Sequence, residues 1–449
     1  MDYLNDLFKF ENRSIVCGLS SELTILYYLK YFESHEDNVL IVTNSLYDAN
    51  KIFRALKTYI DDVCLFPMDD FLSSVAIAIS PDLKVTRLET LEHVKKNKKS
   101  IVVTNLMGYL RYLPNKEQNN IFNVEITKNK EIDREKLIQT LDLFGYNRDS
   151  LVTSTGEYAI RGYIIDIFPI EETHPIRLEF FGDEIDSIRY FDEETQLSID
   201  EMNSYTILPF DEIDTKVHSS LVDYLEDPFI FFIDEHQIKN GYEKICNDIV
   251  EYRNSKDIEA DISYMFQMDE INVNNFIKIE TINNLEGSII YNSKPALKFK
   301  GNYDNFKDYC LDNKNKYLII YLSKDNQIEH ISELFDKGLV NINSIKKGCI
   351  NIINKKINEG FIINDYIVIS EYDIDDVQVV NTFKNNFKIG RKIKSFDDLK
   401  VGDYVVHTAH GIGIYGGIVP ITKSGMVRDY IMINYMGNDK VYIPVEYHL

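Results

Sequence analysis

Gly18-Leu19-Ser20-Ser21-Glu22-Leu23-Thr24 follows a strand-like run, Ser14-Ile15-Val16-Cys17, and leads into a helical stretch. That is where a phosphate-cradling loop sits in a nucleotide-hydrolysing domain. Such a loop carries GxxxxGK followed by Ser or Thr. Its glycines let the backbone close on the phosphates, its lysine meets the β- and γ-phosphates, and its hydroxyl binds magnesium. Here Glu22 and Leu23 stand where glycine and lysine belong, with Thr24 after them. A carboxylate repels a triphosphate, and nothing replaces the lysine's charge. Read without function, Ser20 or Ser21 simply caps a helix. Asp234-Glu235-His236, closing an apolar strand, is similar to the acid pair that positions magnesium and water in helicase-type ATPases. Strands also end in acids for no catalytic reason, and without a phosphate loop the pair has no nucleotide to serve. Gly18, Glu22, Leu23, Thr24, Asp234 and Glu235 therefore read as a degenerate nucleotide site on an ATPase-derived scaffold, with no catalytic residue expected.

Two further groups of residues suit binding. In Pro175-Ile176-Arg177-Leu178-Glu179-Phe180-Phe181-Gly182, strand alternation puts Ile176, Leu178 and Phe180 on a core face and Arg177, Glu179 and Phe181 on the other. An exposed arginine beside an aromatic ring is a pairing enriched at binding hot spots. Gly156-Glu157-Tyr158-Ala159-Ile160-Arg161-Gly162 offers a second arginine on a neighbouring strand. Pairing of Arg161 or Arg177 with Glu179 across strands is the plainer alternative. Towards the C-terminus, Ile421 lies in the loop-like run Pro420-Ile421-Thr422-Lys423-Ser424-Gly425. It is either an apolar anchor for a partner or a residue tucked against its own sheet. His407 and His410 have no Cys or acid at ligand spacing, and zinc wants four convergent groups, so no metal is expected.

The elements that must position these residues are α/β at first. Strands at 39–43, 64–67 and 100–104 alternate with helices at 45–59 and 81–95, the latter capped by Ser80 with proline at its first position. A helix over 133–144 then leads into an antiparallel block over 157–191. α/β character returns at the strand 228–233 with a helix through Val250. A β block inside an α/β pattern suggests a domain inserted in another. Residues 255–300 show no assignable pattern. A strand at 316–322, a helix at 326–337 and a last strand at 366–370 form a small α/β unit. A basic linker with Lys388, Arg391, Lys392 and Lys394 precedes an all-β end with glycine turns, suited to a small barrel.

Composition narrows the function. The 449 residues, too many for one core, carry 72 acids against 49 bases, a net charge of −23. A surface this acidic repels duplex DNA and favours partners with basic patches. The five scattered cysteines include no CxxC pair, which argues against disulfides or zinc and for inert thiols. No apolar run reaches the ~20 residues of a membrane span and no signal peptide opens the chain, so a cytoplasmic protein is expected.

The runs 156–169 and 175–196 closely resemble the UvrB-homology module of the bacterial transcription-repair coupling factors, the Mfd family, and 399–445 resembles their CarD-like RNA-polymerase-interacting domain. Weaker similarity covers the rest. The resemblance implies a multi-domain α/β chain. A RecA-like, UvrB-type module would span 1–122 and 208–302, with an inserted α+β UvrA-binding domain at 123–207. A small α/β domain at 303–384 and a linker at 385–397 would follow, then a Tudor/SH3-like β-barrel at 398–449. It places the UvrA contacts on Arg161, Arg177 and Phe181, and the contact with the RNA polymerase β subunit at Ile421. It also implies that ATP, magnesium and duplex DNA belong to motor domains that this chain lacks, making it a docking fragment in transcription-coupled repair. A UvrB-like damage-handling ATPase and a stand-alone, motor-less regulator are the alternatives.

Overall fold

The structure is a computed structural model. It describes residues 7–68, 81–97, 99–116, 123–170, 172–193, 195–210, 217–256, 265–282, 285–342, 344–375, 402, 404–407, 411–423, 426–434 and 440–444. The chain is mixed α/β with several sheets and divides into two compact units, Met1–Lys388 and Ile389–Leu449.

The largest sheet has seven strands in the spatial order Ile289–Ile290, Ser14–Cys17, Phe276–Glu280, Phe229–Ile233, Val39–Thr43, Ile101–Asn105 and Val63–Phe66. Every pairing in it is parallel. Parallel strands are covered on both faces, which is why Val39–Thr43 reads as an unbroken apolar run and is buried throughout. Val39 and Ile41 face one core with the helices Ser21–Ser34 and Leu46–Lys57. Leu40 and Val42 face the other, with Leu106–Leu110 and Glu235–Lys256. Ser45 caps Leu46–Lys57 by accepting from the Asp48 amide. Pro81–Lys96 is helical as expected, while its proposed cap Ser80 lies outside the described residues. The run 255–300 is not patternless. Its alternating Phe276-Ile277-Lys278-Ile279-Glu280 inserts between Ser14–Cys17 and Phe229–Ile233 in the middle of the sheet.

Between Ile101–Asn105 and Phe229–Ile233 the chain leaves this sheet and builds another. Two short antiparallel pairings join outgoing and returning chain: Leu113–Pro114 with His218–Ser219, and Val124–Thr127 with Ser204–Ile207. The inserted sheet runs Ser198–Met202, Glu184–Phe191, Ile176–Phe181, Ile164–Ile167, Glu157–Arg161 and Asn147–Arg148. Leu178, Ile165 and Tyr158 on one face pack against Leu137 and Leu141 of the helix Arg134–Leu143, which Asp133 caps. Gly156 opens this sheet at φ +85°, where a Cβ would stand 2.2 Å from the Phe210 ring, so no larger residue fits there.

A six-stranded sheet follows, from Lys294–Pro295 through Phe361–Ile363, Tyr366–Ser370, Tyr317–Leu322 and Ile350–Asn354 to Val340–Ile342. Tyr366–Ser370 is last in the chain among its strands but interior in the sheet. Ile319, Tyr321, Phe361 and Val368 on one face share a core with the seven-stranded sheet, while Leu318, Ile320 and Ile352 pack under Tyr303–Asp312 and Asp325–Glu333.

The second unit is an antiparallel sheet in chain order, Tyr404–His407, Gly411–Lys423, Met426–Asn434 and Lys440–Pro444, centred on Val405, Tyr415, Ile431 and Ile433. Ile421 is not in a loop: it belongs to the long strand and pairs with Arg428. The basic linker and His410 lie outside the described residues.

Candidate functional site

The polar face of the inserted sheet is organised by a residue that the reading of exposed arginines overlooked. Asp166 lies on Ile164–Ile167, the strand between the two arginine-bearing strands, opposite both Ala159 and Arg177. Arg161 and Arg177 are therefore not on adjacent strands, and neither pairs with Glu179. Asp166 is fully buried and takes both guanidinium groups: Arg177 donates through Nε at 2.7 Å and Nη2 at 2.9 Å, and Arg161 through Nη2. Gln196 Oε1 accepts from the same two arginines, and the Arg177 guanidinium stacks 4.1 Å from the centre of the Phe191 ring. Arg177 is thus only 8% exposed, contrary to the expectation that alternation leaves it open, because Gln196 and Phe191 cover that part of the face. Glu179 pairs instead with Arg189 and accepts from Ser187. One signal in the sequence marked Asp166. An acid inside Ile164-Ile165-Asp166-Ile167 is buried by its neighbours, and a buried carboxylate needs cationic partners.

Phe181 meets the expectation of exposure. It ends its strand at a two-residue hairpin loop, Gly182-Asp183, where Gly182 adopts φ +67°. The ring is 81% exposed. Tyr163, which sequence reasoning did not single out, sits in the adjoining tip at 68% exposure, its carbonyl accepting from the Phe180 amide at 2.9 Å. Two aromatic rings, Tyr163 and Phe181, thus stand exposed at neighbouring hairpin tips of the sheet that carries the two arginines.

The nucleotide-like region is closed by the chain itself. Gly18 adopts φ +75°, and its carbonyl accepts from both the amide and the hydroxyl of Ser293, each at 2.8 Å. The Ser20 amide, which would face a phosphate in a working loop, donates to Ser293 Oγ at 2.6 Å. Ser20 holds the N-cap position of Ser21–Ser34 by backbone alone, its side chain making no capping bond. Leu23 is buried in the core, and Thr24 Oγ1 donates back to the Ser20 carbonyl. Asp234 accepts from the amide and hydroxyl of Thr281, and Glu235 is paired with Lys278 and Lys239. Both acids are thereby engaged.

Glu22, Thr24 and Asp234 nevertheless share a cavity of about 660 Å³. It lies outside the carboxyl ends of the parallel strands, where α/β sheets commonly take ligands. Its wall also includes Asn358 and Asp373 from the six-stranded-sheet region. Glu22 accepts from the Tyr59 hydroxyl and from the Asn358 amide. Burial pushes its carboxyl from an ordinary 4.5 up to about 7, against the lowering effect of those two bonds. The folded chain therefore keeps this proton over a range in which the unfolded chain has released it. Stability falls as pH rises through that window and levels off above the folded value. Between pH 5.5 and 7.5 the wild type should lose roughly 1–2 kcal/mol from this source. Glu22→Gln, which keeps an acceptor but cannot ionise, should lack that loss in denaturant titrations at the two pH values. Parallel pH dependence in both proteins would refute the assignment.

The thiols divide between buried Cys17 and Cys310 and half-buried Cys64, Cys246 and Cys349, all free. Among the described residues, no helix is long and apolar enough to cross a membrane.

Comparison with known proteins places these features in context. Residues 124–212 match the family model of the UvrB interaction domain, and residues 399–447 that of the CarD-like/TRCF RID domain. The chain is 26% identical, over 99% of its length, to the transcription-repair-coupling factor of Staphylococcus aureus strain bovine RF122 / ET3-1. Its resemblance to the transcription-repair-coupling factors is shown. The same protein of S. aureus strain USA300 is 27% identical and that of S. haemolyticus strain JCSC1435 is 26% identical, each over 99% of this chain. The chain spans 45% of the length of these coupling factors. Asp166, Arg177 and Phe181 all fall inside the matched UvrB interaction segment, and Ile421 inside the matched C-terminal one.

Proposed function

We propose that this chain is a docking platform for transcription-coupled DNA repair, binding UvrA through the inserted domain and the β subunit of RNA polymerase through the C-terminal sheet. The observation that carries the reading is the exposed Phe181 tip beside the Arg161–Asp166–Arg177 cluster, within the segment that matches a UvrB interaction domain. Arg161, at 39% side-chain exposure, is the arginine open to a partner, and Arg177 fixes the carboxylate that orients it. On this reading the seven-stranded sheet is a RecA-like scaffold without turnover. The C-terminal strands form a Tudor/SH3-like barrel with Ile421 at the polymerase contact. ATP, magnesium and duplex DNA are handled by domains outside this chain, and the protein works in the cytoplasm.

The test is capture of both partners by the purified chain. UvrA and RNA polymerase should each be retained. Ile421→Asp should reduce polymerase capture at least about tenfold, the loss of one apolar anchor, while leaving UvrA capture unchanged. Retention of neither partner, or ATP turnover above the buffer rate, would overturn the proposal in favour of a UvrB-like ATPase or an unrelated role.

A further inference from the structure

Arg161 pairs with Ile164 across a two-residue loop, Gly162-Tyr163, in which φ is positive at Gly162, +59°, and not at Tyr163. That is the pattern of a type II′ hairpin turn, with glycine at the first central position. The carbonyl of the central peptide lies outside the strand ladder and can take a donor from elsewhere in the fold. A donor there fixes the plane of that peptide, and with it the direction in which the following side chain leaves the turn. At 68% exposure, the Tyr163 ring itself does little to anchor the tip.

Arg134 supplies that donor. It is the first residue of the helix Arg134–Leu143, and its Nη2 donates to the Gly162 carbonyl. Its guanidinium lies 5.8 Å from the centre of the Phe180 ring, which directs the side chain toward the tips. The chain holds 72 acids, yet among the described residues none forms an ion pair with Arg134. Its charge is directed at a main-chain oxygen instead.

The neighbouring tip hangs on the same stretch of chain. The Ile132 amide donates to the Asp183 carbonyl at 2.9 Å, the Asn129 amide to the Ile185 carbonyl at 2.8 Å, and the Ile185 amide to the Lys130 carbonyl at 3.1 Å. Asp133 accepts from the amides of Glu135 and Lys136, so the helix end that carries Arg134 is itself capped. Arg161 has its own supports in Asp166 and Gln196, which leaves Tyr163 as the side chain that Arg134 governs.

We propose that Arg134 is a positioning residue for UvrA docking. It latches the Gly162-Tyr163 turn to the helix, so that the Tyr163 ring is already placed beside the Phe181 tip when the partner arrives and is not ordered at the expense of binding. The inference rests on the docking reading and adds to it a residue that acts through the turn.

Arg134→Met keeps apolar bulk over Phe180 and removes the donor. It should weaken UvrA binding by the full chain about fivefold, the effect of losing a charge-assisted bond that pre-orders a contact residue. In a Tyr163→Ala background the same substitution should weaken binding less than about twofold, because no ring is left to place. Arg134→Lys should bind within about twofold of wild type, since a single carbonyl needs only one donor. A general loss of fold would instead weaken binding equally in both backgrounds. Hydrogen exchange over residues 159–165 reads the latch without any partner, and Arg134→Met should accelerate it at least about fivefold while leaving Phe229–Ile233 unchanged. Unaltered exchange at the turn, equal losses of affinity in the two backgrounds, or a lysine variant as weak as the methionine one overturns the inference. Failure of the wild-type chain to bind UvrA overturns the docking reading instead, and the exchange measurement then decides the latch by itself.

Discussion

Asp166→Ala should destabilise the inserted domain by about 3–5 kcal/mol, the cost of leaving a buried guanidinium without its counter-charge. Arg161 can turn its partly exposed side chain to water, but Arg177 is enclosed by Phe191 and Gln196. The effect is read as a shift in the denaturant midpoint. A second variant separates charge from packing. Asp166→Ala/Arg177→Met removes both members of the buried pair and should recover at least half the loss, because replacing a whole buried ion pair by apolar groups is often nearly neutral. Under the docking reading this refolded double variant still binds UvrA poorly, having lost the carboxylate that orients Arg161. A double variant as unstable as Asp166→Ala would mean that the cost lies in the cavity left behind, not in the orphaned charge.

Phe181→Ala should leave stability within about 0.5 kcal/mol of wild type, since the ring is 81% exposed and holds no part of the core. Its effect on a UvrA complex should be large, about 2–3 kcal/mol or a thirtyfold or greater rise in Kd, the range of an aromatic hot spot. Tyr163→Ala, at the adjoining tip, should have a smaller effect of the same sign. Binding assays paired with thermal melts distinguish a lost contact from a lost fold. Unchanged affinity with Phe181→Ala would remove the aromatic tip from the interface.

Much of this arrangement was legible in the chain. Uninterrupted apolar runs such as Val39–Thr43 mark buried parallel strands because both faces of the sheet are covered, and a β block between such runs marks an insertion. The core face of Ile176–Phe181 followed from alternation. What alternation does not encode is which loops fold over the other face, so Arg177 read as open although Phe191 and Gln196, over a dozen residues on, enclose it. The strand Phe276–Glu280 was hidden for a different reason. Its alternating Lys278 and Glu280 look solvent-facing, yet Lys278 pairs with Glu235 and Glu280 accepts the Glu235 amide, so both polar residues sit at the sheet's carboxyl end with partners. Ile421 was misplaced because Pro420 and the Ser424-Gly425 pair read as turn formers, whereas the strand runs on to Lys423.

The inserted domain hangs from its host by two chain crossings that pair with each other, at Leu113–Pro114 with His218–Ser219 and at Val124–Thr127 with Ser204–Ile207. Because the strands are antiparallel and both lead to the same host sheet, a tug on the inserted domain pulls the two in the same direction. Neither is peeled from its neighbour, and tension runs along two covalent backbones at once. A partner that drags on this domain would thus transmit its load to the seven-stranded sheet as if through a doubled cord, where a singly tethered module would pivot about its linker.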